Sequence, residues 1–254
     1  MRILSLFMAT IVAFAASALS AEPDTRVFEM RTYFAPEGKL DALHARFRDH
    51  TIALFEKHGM TNLGYWVPIE NPDRKLIYVL AYPSREARQK AWAAFGADPE
   101  WKAAKTASEA NGTLVSKVEE LYLQATDYSP AITPAVGKGE RIFELRTYTT
   151  SPGKLSALDA RFRDHTVSLF AKHGMTNLFY WRAAAGQPRA ENTLIYFLAH
   201  DSVEAAKKSF EAFRADPDWI SARKASEEKA GGSLTVPDGV QSLFLKATDY
   251  SRTR

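Results

Sequence analysis

The order of hydrophobic periods along this chain runs through once and then again. In RVFEMRTY (26–33) and RIFELRTY (141–148) apolar and polar residues alternate, so Phe28, Met30 and Thr32 face one way and Glu29, Arg31 and Tyr33 the other. A period of two predicts a strand. PEGKLDALHARFRDHTIALFEKHG (36–59) then places Leu40, Leu43, Phe47, Leu54 and His58 at helical spacing, with Gly59 as a C-cap. MTNLGYWVP (60–68) and KLIYVLAYP (75–83) predict two further strands, the second a buried run of branched and aromatic residues. Ser84 caps a helix anchored by Trp92 and Phe95, matched later by Phe210 and Phe213. A further helical turn opens at DPEW and DPDW, where Asp98 and Asp216 cap free amides and Pro99 and Pro217 need no N–H. VEELYLQATDY and VQSLFLKATDY predict a closing strand.

The recurrence is close. Residues 46–66 and 161–181 differ at only four of twenty-one positions. The offset between copies is 115 from Arg31/Arg146 to Trp66/Trp181, 118 at Leu76/Leu194 and 122 at Ala125/Ala247. Length changes accumulate in loops, so these steps mark connections between elements. The chain therefore reads as one domain over 25–128, a Pro/Gly-rich linker over 129–140, and a second domain over 141–251. Each has the order β-α-β-β-α-β, the ferredoxin-like split motif, whose sheet carries helices on one face only. The expected fold class is α+β: two tandem ferredoxin-like domains cover each other's bare sheet faces in a pseudo-dimeric α+β barrel, an interface made intramolecular.

Ahead of the first domain, MRILSLFMATIVAFAASALSA puts Arg2 before an apolar run and small residues, the composition of a signal peptide over 1–21 with cleavage after Ser20 or Ala21. Its loss lowers the formal charge from +3 to +2, and no long apolar run follows, so no integral membrane span is expected in the mature chain, which is read as periplasmic or secreted. The chain has no cysteine, which excludes disulfides, a thiol nucleophile and thiolate metal ligands. Both charge signs are interspersed, and no basic block points to nucleic acid. No metal is expected, because no histidine pair has the spacing of a helical zinc site, and phosphate loops and the G-x-S-x-G elbow are missing.

Four groups of residues carry candidate chemistry. At about 100° per residue, His50 falls at the centre of the stripe of Leu43, Phe47 and Leu54, and so should point beneath the helix with Arg46 on its flank. His165 and Arg161 repeat the arrangement. A half-buried imidazole beside a guanidinium favours the neutral form, which suits a base or an axial ligand. The structural alternative is a histidine satisfied by a carbonyl or hydroxyl. Arg31 and Arg146, with Glu29 and Glu144, could clamp an anion in a cavity between the sheets, or neutralise each other across the interface. Tyr65-Trp66 and Tyr180-Trp181 offer aromatic walls on opposite strand faces, so one of each pair can line a given cavity. His58 and His173, in the last helical turn, read as helix-end cations, and Trp101 and Trp219 as anchors of the DPEW turn.

VFEMRTY and IFELRTY, HGMTNLGYW and HGMTNLFYW, and ADPEW and ADPDW resemble the NIPSNAP family, over essentially all of the mature chain, twice. That resemblance implies the dimeric α+β barrel superfamily, and a tandem fusion with a secretory leader departs from the family's usual single domain. It implies no reaction, although cousins in the superfamily include cofactor-free monooxygenases and haem-binding or haem-degrading enzymes. The leading expectation is binding of a small aromatic or apolar molecule in two similar sheet–helix clefts, without a cofactor, with Arg46, His50, Arg161 and His165 as polar contacts. Alternatives are a monooxygenase-like oxidoreductase, cofactor-independent or haem-dependent, and an interaction or scaffold module. Gly64 against Phe179 and Tyr82 against His200 mark where one copy could keep a cavity that the other fills.

Overall fold

The alternation at the start of each unit becomes the wall of a barrel. In the computed structural model residues 24–137 and 139–254 are described, and the expected leader lies outside them. The first unit runs β1 (Val27–Phe34), α1 (Leu40–Arg46), a π-helical turn (Phe47–Thr51), α2 (Ile52–Lys57), β2 (Thr61–Pro68), β3 (Lys75–Tyr82), α3 (Arg85–Ala97), α4 (Pro99–Ser108) and β4 (Lys117–Ala125). The second repeats it as β5 (Ile142–Thr150), α5 (Leu155–Arg161), a π-turn (Phe162–Thr166), α6 (Val167–Lys172), β6 (Thr176–Ala183), β7 (Thr193–His200), α7 (Val203–Ala215), α8 (Pro217–Lys229) and β8 (Thr235–Ala247).

The eight strands close in the order β1-β3-β2-β8-β5-β7-β6-β4. The two sheets do more than cover one another. They join edge to edge, β2 pairing β8 with Trp66 opposite Ala247, and β4 pairing β6 with Ala125 opposite Trp181. Closure gives each of the eight described strands a neighbour on both sides, though the two seams pair over only three residues each. The fold is thus mixed α+β, two repeated units sharing one closed barrel with the described helices outside.

Phe28, Trp66, Ile77, Val79, Phe143, Trp181, Ile195 and Phe197 fill the interior. Glu29, Arg31 and Tyr33 take the outer face, under the helices, and so do Glu144 and Arg146. This corrects the expectation of a charged cavity between the sheets. An eight-stranded barrel has room for side chains and little else, and a charge placed there would lose its hydration without gaining partners. The expected linker is partly built in, since Ile132 is 2 % exposed and packs with the interior cluster.

The caps form as read. Ser84 and Ser202 accept the amides of Ala87 and Ala205 at 3.1 and 3.0 Å, and Asp98 and Asp216 accept those of Glu100 and Asp218 at 2.8 and 2.9 Å. The helices that open at the DPEW and DPDW caps are longer than a turn, with ten residues in α4 and thirteen in α8. His58 Nε2 lies 2.7 Å from Asp98 Oδ2, and His173 lies 2.6 Å from Asp216, so each histidine ties its helix end to the next cap. The space opposite Gly64 is not a cavity, because the Trp66 ring lies where a Cβ would sit. In the second unit Phe179 packs beside Trp181 instead, with ring centroids 5.2 Å apart. Among the described residues no helix is long and apolar enough to cross a membrane.

Candidate functional site

The first helix of each unit contains an extra residue in its middle turn. The amide of Ile52 donates to the carbonyl of Phe47, five residues back, and Val167 does the same to Phe162. Thr51 and Thr166 donate their hydroxyls to the Arg46 and Arg161 carbonyls, both at 3.1 Å. A wide turn of this kind advances the helix by one position relative to a 3.6-residue period. Thr51 and Thr166 therefore turn inward, 2 % and 1 % exposed, with Phe55 and Phe170 after them. His50 and His165 are exposed instead of lying beneath the helix, and the pairing of His50 with Arg46 over the sheet does not form.

Arg46 and Arg161 are buried, at 5 % and 6 % exposure. Arg46 lines a cavity of about 420 Å³ between the first helix, β1, α3 and α4. Its walls are aromatic: Tyr33, Phe47, Phe55, Trp92, Phe95 and Trp101. Phe95 packs at a tilt against Trp101 at 4.4 Å and against Phe55 at 4.8 Å, which joins the wall residues of three helices. The guanidinium of Arg46 lies 5.3 Å from the Trp101 ring centroid and donates through Nη1 to Glu109 Oε1 at 2.8 Å. Its Nε is buried with no acceptor. Burial pushes the Glu109 carboxyl up, but hydrogen bonds from Arg46 and the Leu114 amide outweigh this and leave it below the usual glutamate range.

Arg31 stands behind this cavity, 4.4 Å from the Trp92 ring centroid, and pairs with Glu29 at 2.6 Å and Glu120 at 2.9 Å. Glu29 is fully buried yet well supplied. It also accepts from Arg88 at 2.6 Å, Tyr82 at 2.8 Å and the Trp92 indole at 3.2 Å. Burial raises its pKa, but Arg88, Arg31 and Tyr82 more than compensate, so the carboxyl lies below its ordinary value. In the second unit Glu144 accepts from Arg146, His200 and Ser242, while Ala206 and Phe210 stand where the first unit has Arg88 and Trp92. Glu144 is likewise held down by His200, Arg146 and Ser242 against its burial. Both clusters settle buried charge, and the one at Glu29 also ties α3 to the sheet.

The aromatic pairs divide as the strand period requires. Tyr65 and Tyr180 face the helices, where their hydroxyls donate to Asn62 and Asn177. Trp66 and Trp181 point into the barrel, and their indole N–H groups are buried without acceptors. None of the four lines the cavity around Arg46. Arg161 and His165 do come together, but in a groove between the first helix of the second unit and α8, about 370 Å³ in volume. The residues that sequence reasoning passed over are Glu109 and Glu227, at equivalent positions near the end of α4 and α8; their recurrence at offset 118 was the available signal. Among the described residues no cluster of three or more His, Asp or Glu could hold a metal ion.

Comparison with known proteins fits this architecture. The sequence profile of the NIPSNAP family matches residues 28–130 and again 143–252. "Protein NipSnap homolog" of Dictyostelium discoideum is 28 % identical over 133 residues, 52 % of this chain and 52 % of that protein, so the chain spans about half the length of this relative. Among solved structures, a Fusobacterium nucleatum protein described as a candidate monooxygenase superposes with a TM-score of 0.56 at 10 % identity, over 88 % of this chain and 92 % of that one. A Lactobacillus acidophilus protein with the same description reaches 0.53 at 10 % identity, over 88 % and 94 %. At such identities the likeness is one of fold.

Proposed function

The chain belongs to the NIPSNAP family, and on that premise we propose that it binds a small apolar or aromatic molecule in the cavity beside Arg46. The observation that carries this is the cavity itself: aromatic walls from the first helix, β1, α3 and α4, about 420 Å³, with one buried cation at its edge. Ligand sites are commonly concave, largely apolar and provided with few polar groups. A flat ring can pack against this aromatic wall, with a polar substituent directed to the Arg46 guanidinium at its edge, whose Nε has no acceptor of its own. Arg46 is thus kept as a polar contact, whereas His50 looks outward and is not assigned to the site. Titration with 2-naphthol as probe, followed by quenching of tryptophan fluorescence and by calorimetry, tests the reading. Trp101→Ala should weaken binding about tenfold or more and His50→Ala should leave it unchanged; equal binding by wild type and Trp101→Ala would sink the idea.

The similar folds described as candidate monooxygenases favour a second reading, an oxygenase acting on a ligand in the same cavity. Glu109 is the one carboxylate of the lining, and its pairing with Arg46 makes it a weak base. The lining offers no histidine, methionine or cysteine to a haem iron, and its one tyrosine, Tyr33, is packed edge-on against Phe47 and Tyr78, so these residues do not fit haem and no step is routed through it. Oxygen uptake on adding electron-rich phenols, lost in Trp101→Ala, would distinguish turnover from binding alone. Export through the leader belongs to the same proposal, and N-terminal sequencing of the purified protein tests it: a chain starting at Ala21 or Glu22 supports it, and one starting at Met1 opposes it.

A further inference from the structure

Arg46 and Arg161 are repeat mates whose surroundings have diverged. Arg46 holds Glu109 at 2.8 Å, whereas Glu227, the equivalent carboxylate, stands 3.6 Å from Arg161 Nη1, beyond hydrogen-bond distance. A competing partner lies one helical turn away. Arg223, on α8, donates through Nε to Glu227 at 3.2 Å; the first unit has Lys105 there, and Lys105 makes no hydrogen bond to Glu109. Arg223 thus draws Glu227 aside, at the spacing that favours such pairs on a helix.

Arg161 is left without a hydrogen-bond acceptor among the described residues, its side chain 5 % exposed and its Nε and Nη1 both buried. Arginine cannot shed its charge, and Arg161 keeps only the 3.6 Å ion pair to Glu227, so its buried N–H donors still lack a hydrogen-bonded anion. Burial pulls its pKa below the ordinary arginine range, by more than Tyr148 and Glu227 restore. The groove it lines is floored by Ala157, Ala160 and Ala222, with His165 and Lys229 as further donors. Asp164 also lines it and works against a second negative charge.

We propose that the second unit binds a short aliphatic monocarboxylate in this groove, the carboxylate on Arg161 and the alkyl chain on the alanine floor. The inference concerns a different groove from the aromatic cavity and does not depend on that reading. It also changes what the duplication means: two copies of one scaffold have taken different ligand chemistries, as Glu109 caps the end of α4 beside a lysine while Glu227 lies within the longer α8 beside Arg223.

The test is a titration of the full chain with butyrate, using 1-butanol as the neutral isostere and amide chemical shifts as the readout. Butyrate should move resonances within 157–165 and 222–229, and butanol should not. Arg161→Gln should lose affinity about tenfold or more. Two variants at partly exposed side chains leave Arg161 in place and act in opposite directions. Arg223→Ala frees Glu227 to occupy Arg161 and should weaken butyrate severalfold, while Glu227→Gln removes the competitor and should tighten it. The proposal is overturned if butyrate perturbs none of these residues, or if Arg223→Ala and Glu227→Gln both bind as the wild type does.

Discussion

The Tyr128 hydroxyl, at the end of the first unit, donates to Asp159 of the second unit at 2.7 Å, and its ring stacks 6.3 Å from Phe162. Tyr250 makes the reciprocal reach, its hydroxyl 2.6 Å from Nδ1 of His44 and its ring 6.4 Å from Phe47. The ATDY segment that closes each unit therefore seats under the other unit's first helix. Ion pairs Asp127–Arg163 and Asp249–Arg48 flank the two crossings at 2.7 and 2.6 Å. Duplication here amounts to mutual clasping.

Tyr128→Phe leaves Asp159, 1 % exposed, with Arg182 as its remaining partner. A buried acceptor losing a hydrogen bond costs about 1–3 kcal/mol. Arg163→Ala removes only a solvent-exposed pair and should cost about 1 kcal/mol or less. Urea unfolding of the two variants should rank them in that order, and the reverse order would show that the clasp rests on the surface pairs.

Gly64→Ala puts a methyl group into the Trp66 ring, which is fully buried inside the closed barrel. The ring has no exit, so the expected loss is about 1–3 kcal/mol. A thermal melt indistinguishable from wild type would mean that Trp66 has another rotamer available.

Thr51→Val and Thr166→Val keep the shape of the side chain but remove the hydroxyl that serves the carbonyl left over by each π-turn. Each should cost about 1 kcal/mol, and the double variant about the sum, because the two helices belong to different units. Chemical denaturation reads all three, and no change in any of them would mean that the wide turn is held by packing alone.

Acid should weaken the fold partly through Asp98 and Asp216. Hydrogen bonds from Lys57 and His58, and from Lys172 and His173, hold these carboxyls far below the usual aspartate range, against the smaller effect of burial. A depressed folded-state pKa contributes stability that is complete above the unfolded value of about 4 and is lost as pH falls toward the folded value. Asp98→Asn with Asp216→Asn should therefore be less stable than wild type at neutral pH and lose less on acidification below about pH 4. Parallel stability profiles for wild type and variant would remove these two residues from the acid limb.

Much of the architecture was legible because its signals are local. The serine and aspartate caps, the alternation in RVFEMRTY and the loop positions each rest on a few neighbouring residues. His50 was misplaced for an equally definite reason. A uniform helical period puts it with Phe47 and Leu54, and the period is broken by one residue at a π-turn that leaves no pattern except a threonine able to serve the stranded carbonyl. Arg46 was read on the flank of the buried stripe and is buried, while its partner Glu109 lies 63 residues away and no spacing rule connects them.

By itself the sequence determined the duplication, the order of elements within each unit and which residues share a strand face, since periodicity and capping act within one or two turns of chain. Only the tertiary structure decided which face turns into the barrel, that the strand edges join instead of merely stacking, and which buried guanidinium gains a hydrogen-bonded carboxylate. Those outcomes depend on filling a closed interior and on distances between residues far apart in the chain, where a shift of under an ångström separates a satisfied arginine from one still lacking an acceptor.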